Sequence, residues 1–236
     1  MYKNSLKKDN LPGEPMHFHA MFRTVILDFD GVVLESVSVK TEAFRTLFSS
    51  EPDHVDEIVD FHIKNGGMSR FEKFRYIYKH FLHRELDEPT FNRLSERFAG
   101  LVYNGVVRAP FVPGADKFLE NFSKKLPLHI VSATPEEELV KIIRERKLSP
   151  YFQQVYGAPR QKAECIWNIL ATSGFPAHQA LFVGDALNDL KAARAAGVKF
   201  VGRVKLGEEN IFWGCMDIET VVSDLHDLAA FLEEKT

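Results

Sequence analysis

The chain has little cysteine, no excess of positive charge and no long apolar run. Its two cysteines, Cys165 and Cys215, form no C-x-x-C pair, so we expect free thiols and a reducing, cytoplasmic location. A formal net charge of −3 offers no basic surface to nucleic acid, which is therefore not an expected partner. Since no apolar run approaches the roughly 20 residues that span a bilayer, we expect no membrane partner either.

Residues 1–20 differ in composition from the rest of the chain. They contain three lysines but lack the apolar centre of a signal peptide. Because Pro12, Gly13 and Pro15 interrupt any regular pattern, we predict a flexible N-terminal tail over residues 1–20. The remaining residues suffice for one large domain, or for one domain that carries an insertion.

Apolar runs alternate with helical patterns over much of the chain. The runs lie at residues 22–27, 128–131, 180–183 and 199–201, with weaker strand signals near 152–156 and 220–223. Strands that alternate with helices pair in parallel and are covered on both faces. We therefore predict an α/β fold, with a Rossmann-like and mostly parallel sheet flanked by helices, formed by residues 21–35 and 111–236.

The segment 36–110 has helical periodicity and no convincing strand. Apolar stripes recur at helical spacing, and an S-R-F-E capping-box pattern beginning at Ser69 starts one of the helices. We predict an inserted all-α cap domain over residues 36–110, which follows the first strand and lies above its carboxyl end.

One loop of this insertion is a candidate for substrate selection. Gly66 and Gly67 permit a tight, mobile turn that would bring Asn65 and Arg70 to a polar substrate. The alternative is that the two glycines end one helix and Ser69 caps the next.

The first apolar run ends in Asp28-Phe29-Asp30-Gly31. Two acids one residue apart at the tip of a buried strand repel each other and lose hydration unless a cation or ligand compensates them. A single aspartate here would be accounted for by a turn or a helix cap. The pair, followed by a glycine that lets the backbone approach a ligand, favours a site.

A hydroxyl-bearing segment follows the second run. Ser132-Ala133-Thr134 places a hydroxyl group and free backbone N–H groups before a predicted helix, which is typical of an anion site. Thr134 is expected to cap that helix, and this cap does not account for Ser132.

Gly184-Asp185 follows the third strong run, and Asp189 lies four residues after Asp185, on the same side of a first helical turn. Asp189 alone would be accounted for as a cap.

Lys162 would ordinarily be a surface lysine. However, several carboxylates together with a phosphate require more positive charge than one magnesium ion supplies.

These segments resemble the four motifs of the haloacid dehalogenase superfamily. The matching positions, in chain order, are Asp28-x-Asp30-Gly31, Ser132, Lys162 and Gly184-Asp185-x-x-x-Asp189. The resemblance covers nearly the whole chain after residue 22, and the first and fourth motifs are specific in combination. The insertion resembles the helical cap of the subgroup that contains phosphoglycolate phosphatase and β-phosphoglucomutase.

The resemblance implies an enzyme that hydrolyses phosphate monoesters through an aspartyl-phosphate. Asp28 would be the nucleophile, and Asp30 would act as general acid and then as general base. True dehalogenases of this superfamily lack an aspartate two residues after the nucleophile, so Asp30 points to phosphoryl transfer.

The resemblance also implies Mg²⁺ as cofactor. Asp28, the backbone carbonyl of Asp30 and Asp185 would hold the ion. Asp189 would orient a metal-bound water or Lys162 from outside the coordination sphere.

Four residues are implied to bind the transferred phosphoryl group. Ser132 and the N–H groups of Gly31 and Ala133 would hold its oxygens, and Lys162 would neutralise charge on them and on the nucleophile.

The leading expectation is thus a Mg²⁺-dependent phosphatase for a small phosphorylated metabolite, a sugar phosphate being one candidate, in a monomer or homodimer. One alternative is a phosphomutase of the β-phosphoglucomutase type. Another, from a different class, is a non-enzymatic phosphoacceptor module that regulates a partner. The helical insertion and Asp30 argue against that second alternative.

Other conspicuous side chains are assigned to solvent or to packing. Lys40 is a formal candidate for imine formation in the manner of phosphonate-cleaving relatives, but like Lys73 and Arg203 it is expected at the surface. His129 is expected to be a hydrogen-bonded core residue, and both tryptophans are expected to be packing residues.

Overall fold

The computed structural model describes residues 21–235, so the tail predicted over residues 1–20 lies outside the described residues. The strands are β1 (Thr24–Leu27), β2 (Leu128–Pro135), β3 (Gln154–Ala158), β4 (Ala180–Gly184), β5 (Lys199–Arg203) and β6 (Thr220–Val222). The α-helices are α1 (Val37–Leu47), α2 (Val55–Lys64), α3 (Arg70–His80), α4 (Glu88–Arg108), α5 (Ala115–Phe122), α6 (Glu136–Glu145), α7 (Lys162–Ser173), α8 (Leu187–Ala196) and α9 (Leu225–Glu233).

The six strands of the described chain form one parallel sheet in the order β3-β2-β1-β4-β5-β6. The predicted Rossmann-like fold is confirmed. The strand order changes direction between β1 and β4. Open α/β sheets bind ligands in the crevice outside the carboxyl ends of the strands at such a point.

Alternate residues of the strands enter two separate apolar cores. Val25 and Leu27 pack on one face of the sheet, which α5, α6 and α9 cover. Ile26 and Phe182 pack on the other face, beneath α7 and α8. All four residues of β1 are buried, as expected for a strand covered on both faces. The first strand is therefore held rigidly, which fixes the position of the acids that follow it.

Helices α1 to α4 lie between β1 and β2 in the chain and pack around aromatic rings. The ring centroid of Phe44 lies 4.9 Å from that of Phe98 and 5.9 Å from that of Phe74. These rings belong to the same buried cluster as Val25 and Leu27, so apolar packing is continuous from the helices to the sheet. The division into a core of residues 21–35 and 111–236 and a cap of residues 36–110 stays a prediction.

The capping signals agree with the structure at α3 and α8 but not at α6. Ser69 and Glu72 form the predicted capping box of α3, and Gly197 ends α8 with a φ of 72°. The prediction that Thr134 caps the helix after β2 is wrong. Thr134 lies within β2, and its hydroxyl group instead donates a hydrogen bond to Asp30.

Three aromatic side chains differ from expectation. Trp167 is 50% exposed and Trp213 is 88% exposed, so neither is a packing residue. Trp167 lies on the solvent side of α7, because Cys165 and Ile169 face the sheet. His129 is buried as predicted, but neither of its ring nitrogens has a hydrogen-bond partner among the described residues.

Both cysteines are free thiols, as predicted. Burial raises the pKa of the Cys165 thiol to about 11. Within residues 21–235, no helix is both long enough and apolar enough to cross a membrane.

We expect His129→Leu to lose less stability at acidic pH than the wild-type protein. Burial lowers the pKa of His129 from 6.5 to about 4. Between these values the unfolded chain binds a proton that the folded protein does not, so wild-type stability falls as the pH falls through this range. From about pH 7 to about pH 4.5 the histidine should contribute about 2 to 3 kcal/mol to this loss, at about 1.4 kcal/mol per pH unit.

Urea unfolding at the two pH values measures the effect as a difference in the free energy of unfolding. The same substitution at exposed His178 controls for the loss of one histidine. Equal acid-induced losses in the wild-type protein and His129→Leu would show that burial of this ring does not control its protonation.

Candidate active site

Carboxylates from three elements converge at the carboxyl edge of the sheet. Asp28 follows β1, Asp185 follows β4 and Asp189 lies in the first turn of α8. Each offers an oxygen atom within 4.8 Å of the others. Because Leu27 of β1 pairs with Val183 of β4, the acids that follow these strands emerge side by side. The structure thus brings together acids that are more than 150 residues apart in the chain.

Gly31 makes the close approach of Asp185 possible. Its φ is +77°, and a Cβ atom at this position would lie 2.0 Å from Asp185 Oδ2. Any side chain would displace the carboxylate and strain the backbone. The N–H group of Gly31 donates to the carbonyl of Leu34 at 2.7 Å. This amide is used within the turn, in contrast to its predicted role as a phosphate donor.

Lys162 lies buried between two of the acids. Its Nζ donates to Asp28 Oδ2 at 2.7 Å and to Asp189 Oδ1 at 2.5 Å. Burial opposes the ammonium charge, but the charges of Asp189 and Asp28 outweigh this effect and raise the pKa of Lys162. The lysine is the first residue of α7, whose start is held by a capping box between Gln161 and Glu164.

Asp189 is fully buried and both of its carboxylate oxygens are engaged. Oδ1 accepts from Lys162, and Oδ2 accepts the N–H group of Ala186 at 3.1 Å. Ala186 is the N-cap residue of α8, so its hydrogen bond to Asp189 also stabilises the start of this helix, as the capping interpretation predicted. Asp189 therefore holds Lys162 in place and has little freedom to bind anything else.

The acids carry more negative charge than Lys162 compensates. Burial raises the pKa of Asp28 to about 6, with Lys162 acting against this shift and Asp189 adding to it. Burial, followed by repulsion from Asp28 and Asp189, raises the pKa of Asp185 well above its ordinary value. A hard divalent cation prefers such oxygen ligands and would relieve the repulsion. The donor set therefore fits Mg²⁺.

Asp30 has a different environment from the three clustered acids. Its Oδ1 accepts from Ser36 Oγ at 2.6 Å, and its Oδ2 accepts from Thr134 Oγ1 at 2.9 Å and from Lys40 Nζ. Burial would raise the pKa of Asp30, but the Lys40 charge and these hydrogen bonds together lower it. Asp30 is thus an ionised carboxylate with a donor on each oxygen.

Ser132 and Ala133 line the cavity at the end of β2. Ser132 is buried, and its Oγ accepts the N–H group of Thr134 at 3.2 Å. Since the hydroxyl oxygen is an acceptor in this contact, its proton is available to a ligand. These residues can therefore meet an anion that lies beside Asp28.

A cavity of about 140 Å³ separates the strand ends from α1, α2 and α3. Arg70 lines it from α3 and forms a largely buried ion pair with Glu138 of α6. Asn65 is not among the lining residues. Its side-chain amide donates to the carbonyl of Phe61 at 2.9 Å, since the last turn of a helix leaves carbonyl groups without helical partners. Arg70 remains a candidate for substrate contact, whereas Asn65 does not.

Two lysines that were expected at the surface line this cavity. Lys40 contacts Asp30, and Lys73 is 3% exposed on α3. A signal for both was present in the sequence, because each lies four residues before a buried apolar residue of its own helix, Phe44 and Ile77 respectively. Helical periodicity places residues at this spacing on one face.

Arg203 is also buried, contrary to expectation. It is 4% exposed, donates to the carbonyl of Gly31 at 3.1 Å and forms an ion pair with Glu35. Through these contacts the guanidinium group stabilises the turn that follows β1. The signal in the sequence was the apolar run that precedes it, because Arg203 is the last residue of β5 and is buried with that strand.

Comparison with known proteins agrees with this site. A family model described as haloacid dehalogenase-like hydrolase matches residues 25–203. The chain is 27% identical over 191 residues to a phosphoglycolate phosphatase of Pseudomonas fluorescens, which covers 76% of this chain and 68% of that protein. It is 26% identical over 226 residues to a phosphoglycolate phosphatase of Pseudomonas savastanoi, which covers 85% of this chain and 82% of that protein.

Solved structures share the fold. A hydrolase from Pseudomonas syringae aligns with a TM-score of 0.73 at 20% identity, over 90% of this chain and 98% of its own. A haloacid dehalogenase-like family protein from Streptococcus pneumoniae aligns with a TM-score of 0.69 at 18% identity, over 90% of this chain and all of its own. Because the family model matches most of the sequence, the chain belongs to the haloacid dehalogenase-like hydrolases, and the curated relatives described above are phosphatases.

Proposed function

We propose that this hydrolase is a Mg²⁺-dependent phosphatase that removes the phosphoryl group of a small phosphate monoester through an aspartyl-phosphate on Asp28. The observation that carries the proposal is the position of Asp28, which is hydrogen-bonded to Lys162 and clustered with Asp185. The phosphatases among the curated relatives support the reaction class. A cavity of about 140 Å³ supports a small substrate, since pockets for drug-sized ligands start at about 300 Å³.

In the first half of the reaction, a carboxylate oxygen of Asp28 attacks phosphorus in line with the ester bond that breaks. The leaving oxygen takes a proton from Asp30. Lys40 and Thr134 hold Asp30 ionised, so Asp30 must first receive this proton, either from Lys40 or from the substrate phosphate.

In the second half, Asp30 takes a proton from a water molecule as the water attacks the phosphorylated Asp28. The bond between phosphorus and the Asp28 oxygen breaks, phosphate leaves and the carboxylate is restored. Asp30 is well placed as this base because its donors, Ser36, Thr134 and Lys40, orient both of its oxygens.

The transferring group is held by neighbouring donors. The Ser132 hydroxyl group and the Ala133 N–H group bind phosphoryl oxygens, and Lys162 neutralises charge on the same group and on Asp28. Asp189 keeps Lys162 in position through the contact at 2.5 Å.

Asp28, Asp185 and the backbone carbonyl of Asp30 would hold Mg²⁺, which when bound supplies positive charge to the phosphoryl oxygens and to the nucleophile. The raised pKa values of the Asp28 and Asp185 carboxyl groups support this donor set, because they reflect burial together with repulsion from the neighbouring acids, and a bound cation would offset both effects.

The helices of residues 36–110 act as a cap that selects the substrate, with Arg70 contacting its non-reacting part. Arg70 supports this role because it lines the cavity opposite the strand ends. Both a sugar phosphate and phosphoglycolate, the latter from the names of the curated relatives, are candidate substrates.

Asp28→Asn should lower the rate of phosphate release by at least about a thousandfold, because an amide is a poor nucleophile for phosphorus. Release from p-nitrophenyl phosphate in the presence of MgCl₂ measures the change. Asp116→Asn, which makes the same substitution on the exposed face of α5, serves as control and should retain activity. An Asp28→Asn variant with wild-type turnover would exclude the aspartyl-phosphate route.

Product analysis separates the phosphatase from the alternatives. Incubation of the wild-type protein with a sugar phosphate should release free phosphate. An isomeric sugar phosphate without phosphate release would indicate a mutase instead. Stoichiometric phosphorylation without turnover would indicate a regulatory module.

Mg²⁺ should raise the melting temperature of the wild-type protein, because a ligand that binds only the folded state stabilises it, by about 2.7 kcal/mol at a hundred times its dissociation constant. Asp185→Asn should remove most of this increase, since it deletes a charged ligand. Thermal unfolding with MgCl₂ or EDTA measures both, again with Asp116→Asn as control. An undiminished increase in Asp185→Asn would place the metal elsewhere.

A further inference from the structure

Lys73 is a buried cation at the cavity wall that the proposed reaction does not use. It is 3% exposed, and its Nζ donates to Nδ1 of His62 at 2.9 Å and to the His62 carbonyl at 3.0 Å. Both partners are neutral. Burial, followed by the charges of Lys73 and Lys40, lowers the pKa of His62 to about 2, so its uncharged ring is the acceptor. The ammonium group therefore has a third proton and no counter-charge at contact distance in the described chain.

The other cations that line the cavity are already neutralised. Lys40 pairs with Asp30, and Arg70 pairs with Glu138. Among the described residues that line the cavity, Lys73 is thus the cation without a carboxylate within ion-pair distance. A buried charge in this condition is unfavourable unless a ligand supplies the opposite charge.

A second unsatisfied donor lies on the same face of α3. Nη1 of Arg70 is buried and has no hydrogen-bond partner among the described residues. Arg70 precedes Lys73 by three residues, a spacing that makes helical side chains neighbours. Both residues line the cavity, so an acceptor that enters it could meet donors from two side chains of one helix face.

The electrostatics agree with this geometry. Burial, followed by repulsion from Lys40, lowers the pKa of Lys73 to about 7, although Asp185 and Glu72 act in the opposite direction. The lysine is therefore poised between its charged and neutral forms, and a bound anion would favour the charged one.

We propose that Lys73, assisted by Arg70, binds a second anionic group of the substrate, at the end that faces α3. The substrate class is a small phosphate monoester that carries a carboxylate or a second phosphate group. This assignment rests on the proposed phosphatase function and adds to it a residue that determines specificity.

A purely structural role for Lys73 makes a different prediction. Its contact with the His62 carbonyl, in the last turn of α2, would join α2 to α3 whatever the substrate. Loss of such a contact would change stability and affect all esters alike. Loss of an anion-binding group would change the preference between esters.

The test compares three esters with the same two-carbon chain. Phosphoglycolate ends in a carboxylate, ethylene glycol bisphosphate in a second phosphate and hydroxyethyl phosphate in a neutral hydroxyl group. The wild-type protein should have a higher kcat/KM for at least one of the two anionic esters than for the neutral one, and which one it prefers identifies the anion. In Lys73→Met this preference should fall by roughly 10- to 100-fold, the value of a hydrogen bond to a charged group. Lys73→Arg should restore part of it.

Lys79→Met is the matched control, because it makes the same change on the exposed face of α3. It should leave the ratio within about twofold of the wild-type value. Thermal unfolding of each variant reports any structural effect separately.

The outcomes separate the two proposals. An active wild-type protein whose preference is unchanged in Lys73→Met overturns the role of Lys73 and leaves the phosphatase proposal intact. A wild-type protein that releases phosphate from p-nitrophenyl phosphate but from none of the three esters overturns the second-anion assignment alone, and one that acts on none of the four overturns both proposals. If Lys73→Met does not fold, the wild-type measurement still decides, because a preference for the neutral ester contradicts a binding site for a second anion.

Discussion

Asp28, Asp185 and Asp189 each place a carboxylate oxygen within 4.8 Å of the others, and their mutual repulsion governs the composition of the rest of the site. An uncompensated buried charge is strongly destabilising, so each acid needs a partner or a bound cation. Lys162 is paired with Asp28 and Asp189 and offsets only part of the effect of burial and repulsion on Asp185. The remaining negative charge is what makes the oxygen ligands of this site suited to a divalent cation.

Two ion pairs also connect the helices of residues 36–110 to the rest of the chain. Lys40 of α1 pairs with Asp30 at the end of β1, and Arg70 of α3 pairs with Glu138 of α6. Both pairs join the segment 36–110 to the rest of the chain, and all four side chains line the cavity. The contacts that position the helices over the site are thus made by the same groups that an anionic substrate would meet. We therefore expect an anion in the cavity to compete with Asp30 and Glu138 for Lys40 and Arg70.

The acids at the strand ends could be predicted because few structural roles place two carboxylates at the tip of a buried strand. An apolar strand that ends in Asp28-x-Asp30-Gly31 requires compensation by something, and a second such strand ends in Gly184-Asp185. Parallel strands bring their carboxyl ends to one edge, so topology alone makes the two acids neighbours. For Lys162 the need for positive charge only favoured a role in the site, and the resemblance to the family's motifs identified it. The predicted substrate contact of Asn65 is not supported, because its side-chain amide donates to a backbone carbonyl at the end of α2. No pattern of residue types reveals that such a carbonyl competes with a substrate for the amide.

The residues that were missed share a physical cause. A lysine or arginine is expected at the surface, and this general tendency was applied to Lys40, Lys73 and Arg203 without regard to periodicity. A cation on the apolar face of a helix is expensive to bury, so its presence there already implies a partner outside that helix. For Lys40 the partner is Asp30, and for Arg70, on the same face of α3 as Lys73, it is Glu138. For Lys73 the described residues within hydrogen-bond distance are a neutral ring and a carbonyl, so the anion proposed above would be its first counter-charge at contact distance.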